Sequence, residues 1–161
     1  MALTKMPPIE KIHEACSAIA DGRVVIEGNS AKVFSSDHTK TYTVQWEDEV
    51  YSSNDSASYW QGYPGYPIIA VLMIQGRLSF HATMAEHFKG INWKKLNAKH
   101  KADYAAAVSV ILEELQQKGI DCTLIQDKIE KVYGELKELD IKTKRSSTRP
   151  PQPLEAARQS E

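Results

Sequence analysis

The spacing of apolar residues changes period several times along the chain, and each change marks an element. Ile9, Ile12, Cys16 and Ile19 recur at helical intervals. This predicts an amphipathic helix over residues 8–20, with Pro7 and Pro8 at its start and Gly22 at its stop. The β-branched run Val24, Val25 and Ile26 reads as a strand, closed by the turn pair Gly28-Asn29. "AKVFSS" and "TYTVQWEDEVY" read as two further strands joined at "SDHTK". In the second, Tyr42, Val44 and Trp46 share one face by alternation, while Thr41, Thr43 and Gln45 point away.

An irregular loop over residues 51–66 follows, then a helix opened by Pro67 and closed by Gly76. Its stretch from Ile68 to Ile74 is apolar on every side, so it is predicted to be central and buried. Thr83 and Glu86 have capping-box spacing ahead of a short helix that ends at Gly90. Asn92 stands at the start of a long helix reaching about Lys118, with Trp93, Leu96, Tyr104, Val108, Ile111 and Leu115 as its stripe. Thr123 and Gln126 repeat the capping spacing, and Ile125, Ile129, Val132, Leu136 and Leu139 follow on one face. The short connection "GIDC" predicts that these last two helices pack antiparallel.

The pattern adds up to a single α+β domain over residues 1–140. It has an N-terminal helix, a small antiparallel β-sheet, a buried helix and a helical C-terminal half over about 83–140. Residues 141–161 are polar and Pro-bearing, with too little apolar surface to offset their ordering entropy, and are predicted to be a disordered tail.

Composition narrows the picture. The chain has 161 residues, 42% hydrophobic and 25% charged, enough for one domain with a real core. A formal net charge of −1 excludes a global basic field. Cys16 and Cys122 lie far apart without a CxxC neighbour, and both read as buried small hydrophobes. No signal-peptide run is visible at the N-terminus, and the longest apolar run, "PIIAVLMI", is far short of a membrane span. The expectation is a soluble, cytoplasmic protein that does not enter a membrane.

The stretch "YSSNDSASYWQGYPGYPIIAVLMIQGRL" carries the candidate site. A strand ending in a polar doublet, a loop, and a helix reading "PGYPIIAVLM" resemble the SWIM zinc finger. That family places Cys-x-Cys at a hairpin end and Cys-x-His at the start of a helix with text like "PCKHIIAVLL". The resemblance covers about residues 31–78. Its hairpin ligands fall on Tyr51 and Ser53, or on Ser52 and Asn54, and its later pair falls on Gly65 and Pro67. None of these side chains is a thiolate or imidazole, so the resemblance implies a metal-free variant with no cofactor. Tyr59, Trp60, Tyr63 and Tyr66 then stand as candidates either to pack the hairpin onto the helix or to form a binding platform. "SSNDS" reads as a turn or helix-cap tract; it lacks the glycines of a phosphate cradle.

Other groupings count for less. His13 reads as packed at the edge of the first helix, and His38 as a turn residue. His81, His87 and His100 lack the order and spacing of a metal motif. Asp37, Glu47, Asp48 and Glu49 cluster near the hairpin without an accompanying nucleophile. Lys94, Lys95 and Lys99, near Lys89 and Lys101, make a basic patch at the start of the long helix, to which Lys142, Lys144, Arg145 and Arg149 add. The reading is a non-enzymatic binding module for a protein partner or a nucleic acid, with Tyr59, Trp60, Tyr63, Tyr66, Lys94, Lys95 and Lys99 as its surface. SWIM domains are associated with both kinds of partner. The alternative is an assembly subunit, a homo-oligomer joined through its C-terminal helices.

Overall fold

The computed structural model describes residues 3–151. Helix α1 (Glu10–Ala20) leads into a meander of β1 (Val24–Glu27), β2 (Ser30–Phe34), β3 (Thr41–Glu47) and β4 (Val50–Ser53). Helices α2 (Tyr66–Ile74), α3 (Ala82–Glu86), α4 (Trp93–Lys99), α5 (Tyr104–Gln117) and α6 (Cys122–Glu138) follow, and β5 (Lys142–Thr143) returns to the sheet. This is an α+β fold with a helical C-terminal half. Strand order is β1-β2-β3-β4-β5; neighbours are antiparallel except β4 and β5, which run parallel.

The sheet shows the alternation expected of a half-buried surface. Ala31, Val33 and Val44 are fully buried, while Lys32, Thr41 and Gln45 face solvent. The register pairs Val44 with Ala31 on one side and with Ser53 on the other. "TYTVQWEDEVY" holds two strands rather than one. The turn between them is at Asp48-Glu49, and Asp48 takes a positive φ of 55°. Helix α2 lies between α1 and the sheet, touching β1, β3 and β4. Residues 68–72 are all completely buried, as an apolar circumference requires.

The long helix predicted from Asn92 is two helices. Asn92 does cap α4, its side chain accepting from Lys95 N at 3.0 Å. The chain then turns through Lys101 and Ala102, both at positive φ. Asp103 caps α5 by accepting from Ala106 N at 3.1 Å. An Asp side chain that satisfies a free helical N–H starts a new helix even where the apolar stripe keeps its phase. The cap of α6 is Asp121, which accepts from Thr123 N and Leu124 N, and not Thr123. Helix α3 begins after His81 with no side-chain cap, so Thr83 is inside it.

The disordered tail expected from 141 needs correction for the described part. Ile141 is completely buried, Lys142 N and Lys144 N donate to Glu49 O and Tyr51 O at 2.9 Å each, and the edge strand β4 gains a partner. Main-chain pairing supplied what the composition lacked. Further on, Ser146 is buried and Arg149 O accepts from Asn54 Nδ2 at 3.3 Å. The domain therefore runs past 140, and the rest of the predicted tail, 152–161, lies outside the described residues. Among the described residues no helix is long and apolar enough to cross a membrane.

Candidate functional site

The segment between β4 and α2 is held by a polar lock. Asp55 Oδ2 accepts from Ser58 N at 3.0 Å, and Ser58 Oγ accepts from Gly65 N at 2.9 Å. Gly65 is needed for space, since a Cβ there would lie 2.1 Å from Asp55 Oδ2. The lock bends Ala57–Gln61 into a single π-helical turn, which ends at Gly62 with φ 75°. Such turns are rare and recur at functional sites. "SSNDS" thus acts as the turn tract its composition implies.

The turn divides the aromatics. Trp60 is 61% exposed and meets Tyr59 edge-to-face at 4.6 Å. Tyr63 is buried, with the Lys5 ammonium 5.4 Å from its ring centre. Tyr66 packs edge-to-face on Tyr42 at 6.3 Å, and the Arg23 guanidinium lies 5.9 Å from its ring. Loop closure is therefore shared between ring packing inside and the Asp55–Ser58–Gly65 hydrogen bonds, with Tyr59 and Trp60 left at the surface.

Behind Trp60 opens a cavity of about 430 Å³. Helix α1 contributes Lys11 and Glu14, the α1–β1 connection Arg23, the β2–β3 turn Ser36 and Lys40, and β3 Tyr42. Tyr63 and Tyr66 form part of the wall, and Trp93, Lys94 and Asn97 of α4 close it. Lys11 pairs with Glu14 at 3.4 Å and sits 4.0 Å from the Tyr104 ring centre. Burial raises the Glu14 pKa, with Lys11 only partly opposing it. For Lys11 burial acts downward, but Glu14 and the Tyr104 and Tyr63 rings outweigh it and the pKa is raised. Lys40 is lowered, first by burial and then by the neighbouring Lys94 ammonium. Burial also raises the Tyr42 and Tyr66 phenols.

Arg23 is almost completely enclosed; its Nε donates to Asp21 Oδ2 at 3.0 Å and its Nη1 to Phe34 O at 2.7 Å. Lys94 reaches Asp37 at 3.4 Å and Thr39 Oγ1 at 3.3 Å. Burial alone would raise the Asp37 pKa, but hydrogen bonds from Thr39 and Ser35 and the Lys94 charge hold it well below the usual carboxylate range. Two buried polar atoms of lining residues have no partner, the Trp93 indole Nε1 and Asp55 Oδ1.

A second, shallower cleft of about 300 Å³ lies on the other side of Trp60, where Tyr59 meets Lys144 and Arg145. The Arg145 guanidinium stands 4.9 Å from the Tyr59 ring and 5.7 Å from that of Trp60. Of the predicted surface, Trp60, Tyr63, Tyr66 and Lys94 come together at the cavity, and Tyr59 lines the second cleft. Lys95 and Lys99 are exposed on α4 and line neither. Sequence reasoning missed Lys11, Glu14, Arg23, Lys40 and Asp55. The one local signal was a Lys-Glu pair three apart in a helix otherwise read by its apolar stripe.

Three of the four positions that the SWIM resemblance assigns to hairpin ligands, in one register or the other, are engaged by side-chain hydrogen bonds. Tyr51 OH donates to Gln75 Oε1 at 2.7 Å, Ser53 Oγ accepts from Asp55 N at 3.4 Å, and Asn54 Oδ1 accepts from Thr43 N at 2.8 Å. Among the described residues no three His, Cys, Asp or Glu side chains are grouped to hold a metal ion. Cys16 and Cys122 are free thiols.

The sequence profile of one family matches residues 4–142. The chain belongs to the family described as uncharacterised conserved protein UCP014422. No curated protein and no solved structure matches it. The matched span contains the whole lining of the larger cavity, from Lys11 to Tyr104, whereas Lys144 and Arg145 of the second cleft fall just beyond it.

Proposed function

We propose that the chain is a non-enzymatic binding module, a metal-free SWIM-like unit, and that its partner is single-stranded nucleic acid. The observation that carries this reading is the place of Trp60. It is 61% exposed and stands between two clefts, one bearing Lys40 and Lys94 and the other Lys144 and Arg145. An exposed ring flanked by cations offers a base a face to stack on and its phosphates a counter-charge. Local charge decides here, since the overall −1 is an average over both signs. Binding rather than reaction is favoured by the state of Cys16, which is fully buried with its thiol pushed up to about 12.

Self-association through the C-terminal helices has less behind it. Ile125, Ile129, Val132 and Leu136 are buried in the chain's own core, so the stripe that would face another copy is already used.

The test is fluorescence anisotropy of a labelled single-stranded oligonucleotide across a salt series. Affinity is expected to fall steeply with salt. Trp60→Ala is expected to weaken it about 5- to 150-fold, the equivalent of about 1–3 kcal/mol for one stacked base. No binding at low salt, or equal binding by Trp60→Ala, overturns the reading and leaves a protein partner anchored on Trp60 as the alternative.

A further inference from the structure

We propose that the cavity behind Trp60 is a site for a small organic anion that carries a planar ring. The proposal goes beyond oligonucleotide binding, because it rests on the interior lining and needs neither Lys144 nor Arg145.

Volume comes first. At about 430 Å³ the cavity is within the range of small-molecule sites. Charge comes next. Three of the lining cations are already paired, Lys11 with Glu14, Arg23 with Asp21 and Lys94 with Asp37. The lining carboxylates are committed within the protein too, Glu14 to Lys11 and Asp55 Oδ2 to Ser58 N. Lys40 has no ion-pair partner among the described residues, and it lies close enough to Lys94 for the two ammoniums to repel. An anion placed between them removes that repulsion and gives Lys40 a partner.

The orphaned atoms indicate more than a bare ion. Trp93 Nε1 is a donor and Asp55 Oδ1 an acceptor, both buried and both in lining residues. Buried polar groups are rarely left unpaired, and a ligand acceptor would satisfy the indole and a ligand donor the carboxylate. The remaining surface is aromatic: Tyr42, Tyr63 and Tyr66 inside and Trp60 at the rim. Such faces receive a flat ring by stacking or edge contact. The anionic group thus belongs at the Lys40–Lys94 end, where the β2–β3 turn meets α4, and the ring against the tyrosines of the loop and α2.

The chain carries its own reporter. Trp60 and Trp93 line the cavity, while Trp46 stacks on Tyr51 outside it at 6.0 Å. The full chain bearing Trp46→Phe therefore fluoresces only from Trp60 at the cavity rim and Trp93 in its wall. It would be titrated with adenosine 5′-monophosphate and with 4-hydroxybenzoate, which separate a phosphate from a carboxylate as the anionic group. Adenosine and inorganic phosphate are the controls lacking charge and ring. At least one ring-bearing anion is expected to give a saturable change, with affinity at least about tenfold above either control. Lys40→Gln and Lys94→Gln, both on the outer side of the wall, should each weaken it about tenfold with an unchanged circular dichroism spectrum. Arg145→Ala should leave it unaltered. Absence of saturation by both anions at millimolar concentration overturns the proposal, as does equal binding of phosphate alone or full affinity in both lysine variants. Oligonucleotide binding that persists while both small anions fail sinks this inference and spares the preceding one; small-anion binding without oligonucleotide binding does the reverse.

Discussion

The Tyr51 hydroxyl donates to Gln75 Oε1 at 2.7 Å, which ties the last strand of the hairpin directly to the C-terminal end of the buried helix α2. Arg77 Nη1 donates to the same hydroxyl at 3.3 Å and, through Nη2, also reaches Glu49 across the hairpin turn. On the SWIM-like reading proposed above, Tyr51 stands in one register at a zinc-ligand position, and its phenol would bridge what a metal joins in that family. Tyr51→Phe keeps the buried ring and removes only the bridge. It is expected to lower unfolding free energy by about 1 kcal/mol in urea titration. A chelator is expected to leave the melting temperature unchanged; a drop would show that a metal contributes after all.

The polar lock between Asp55, Ser58 and Gly65 makes a sharper demand. Gly65 has an ordinary φ of −75°, so its replacement is limited by space and not by backbone strain. A methyl group there would meet Asp55 Oδ2 at 2.1 Å and Ser58 Oγ at 3.1 Å. Gly65→Ala is expected to cost about 1–3 kcal/mol, as overpacking does. Combined with Asp55→Ala, which empties the space, it should cost less than the sum of the two single changes. Additive losses in chemical denaturation would mean that the two groups do not meet.

What could be read from the sequence follows from how local each feature is. Helices α1, α2 and α6 were legible because Ile12, Ile68–Leu72 and Ile129 sit in patterns complete within a few turns. The break between α4 and α5 was not, because Leu96 and Tyr104 keep the helical phase while Asp103, between them, starts a new helix by a single cap. Strand β5 was invisible for another reason. Two residues following one apolar Ile141 give no period, and their order comes from main-chain bonds to Glu49 and Tyr51 some ninety positions earlier. The aromatic loop announced itself by composition. The cavity did not, since Lys11, Lys40, Asp55 and Trp93 meet only when the chain has folded.

Ile141 therefore tests whether the chain beyond α6 belongs to the domain. Its side chain is completely buried. Ile141→Ala is expected to cost about 2–5 kcal/mol, and truncation after Asp140 to cost more, because it also strips the partner strand from β4. A truncated chain as stable as the full one in thermal unfolding would restore the reading of this stretch as a tail.

Cys16 offers a chemical probe of rigidity. It is fully buried, and burial raises its thiol to about 12, so almost no thiolate exists at neutral pH. In a Cys122→Ser variant, N-ethylmaleimide is expected to leave the folded chain unmodified and to add once in urea, as read by mass spectrometry. Rapid modification without denaturant would mean that α1 opens readily from α2.

His13 makes stability depend on pH. Its ring is completely buried, edge-on to Phe88 at 5.4 Å, with Nε2 3.0 Å from Gln126 Oε1. Burial pushes its pKa below the ordinary 6.5, outweighing the Gln126 side chain and the Glu10 and Ile9 backbone. The unfolded chain then binds a proton that the folded chain refuses, so this contribution is present above about 6.5 and is lost progressively as pH falls from there through the lowered folded-state pKa. Glu14 acts in the opposite direction. Its raised pKa lets the folded state keep a proton above the ordinary 4.5, so its contribution declines as pH rises from there. A comparison of variants separates the two. His13→Gln removes the titration and leaves a polar group within reach of Gln126. Between about pH 8 and about pH 5 the natural chain is expected to lose more stability than this variant in urea titrations. Parallel curves for the two would show that the His13 ring takes up its proton as easily folded as unfolded.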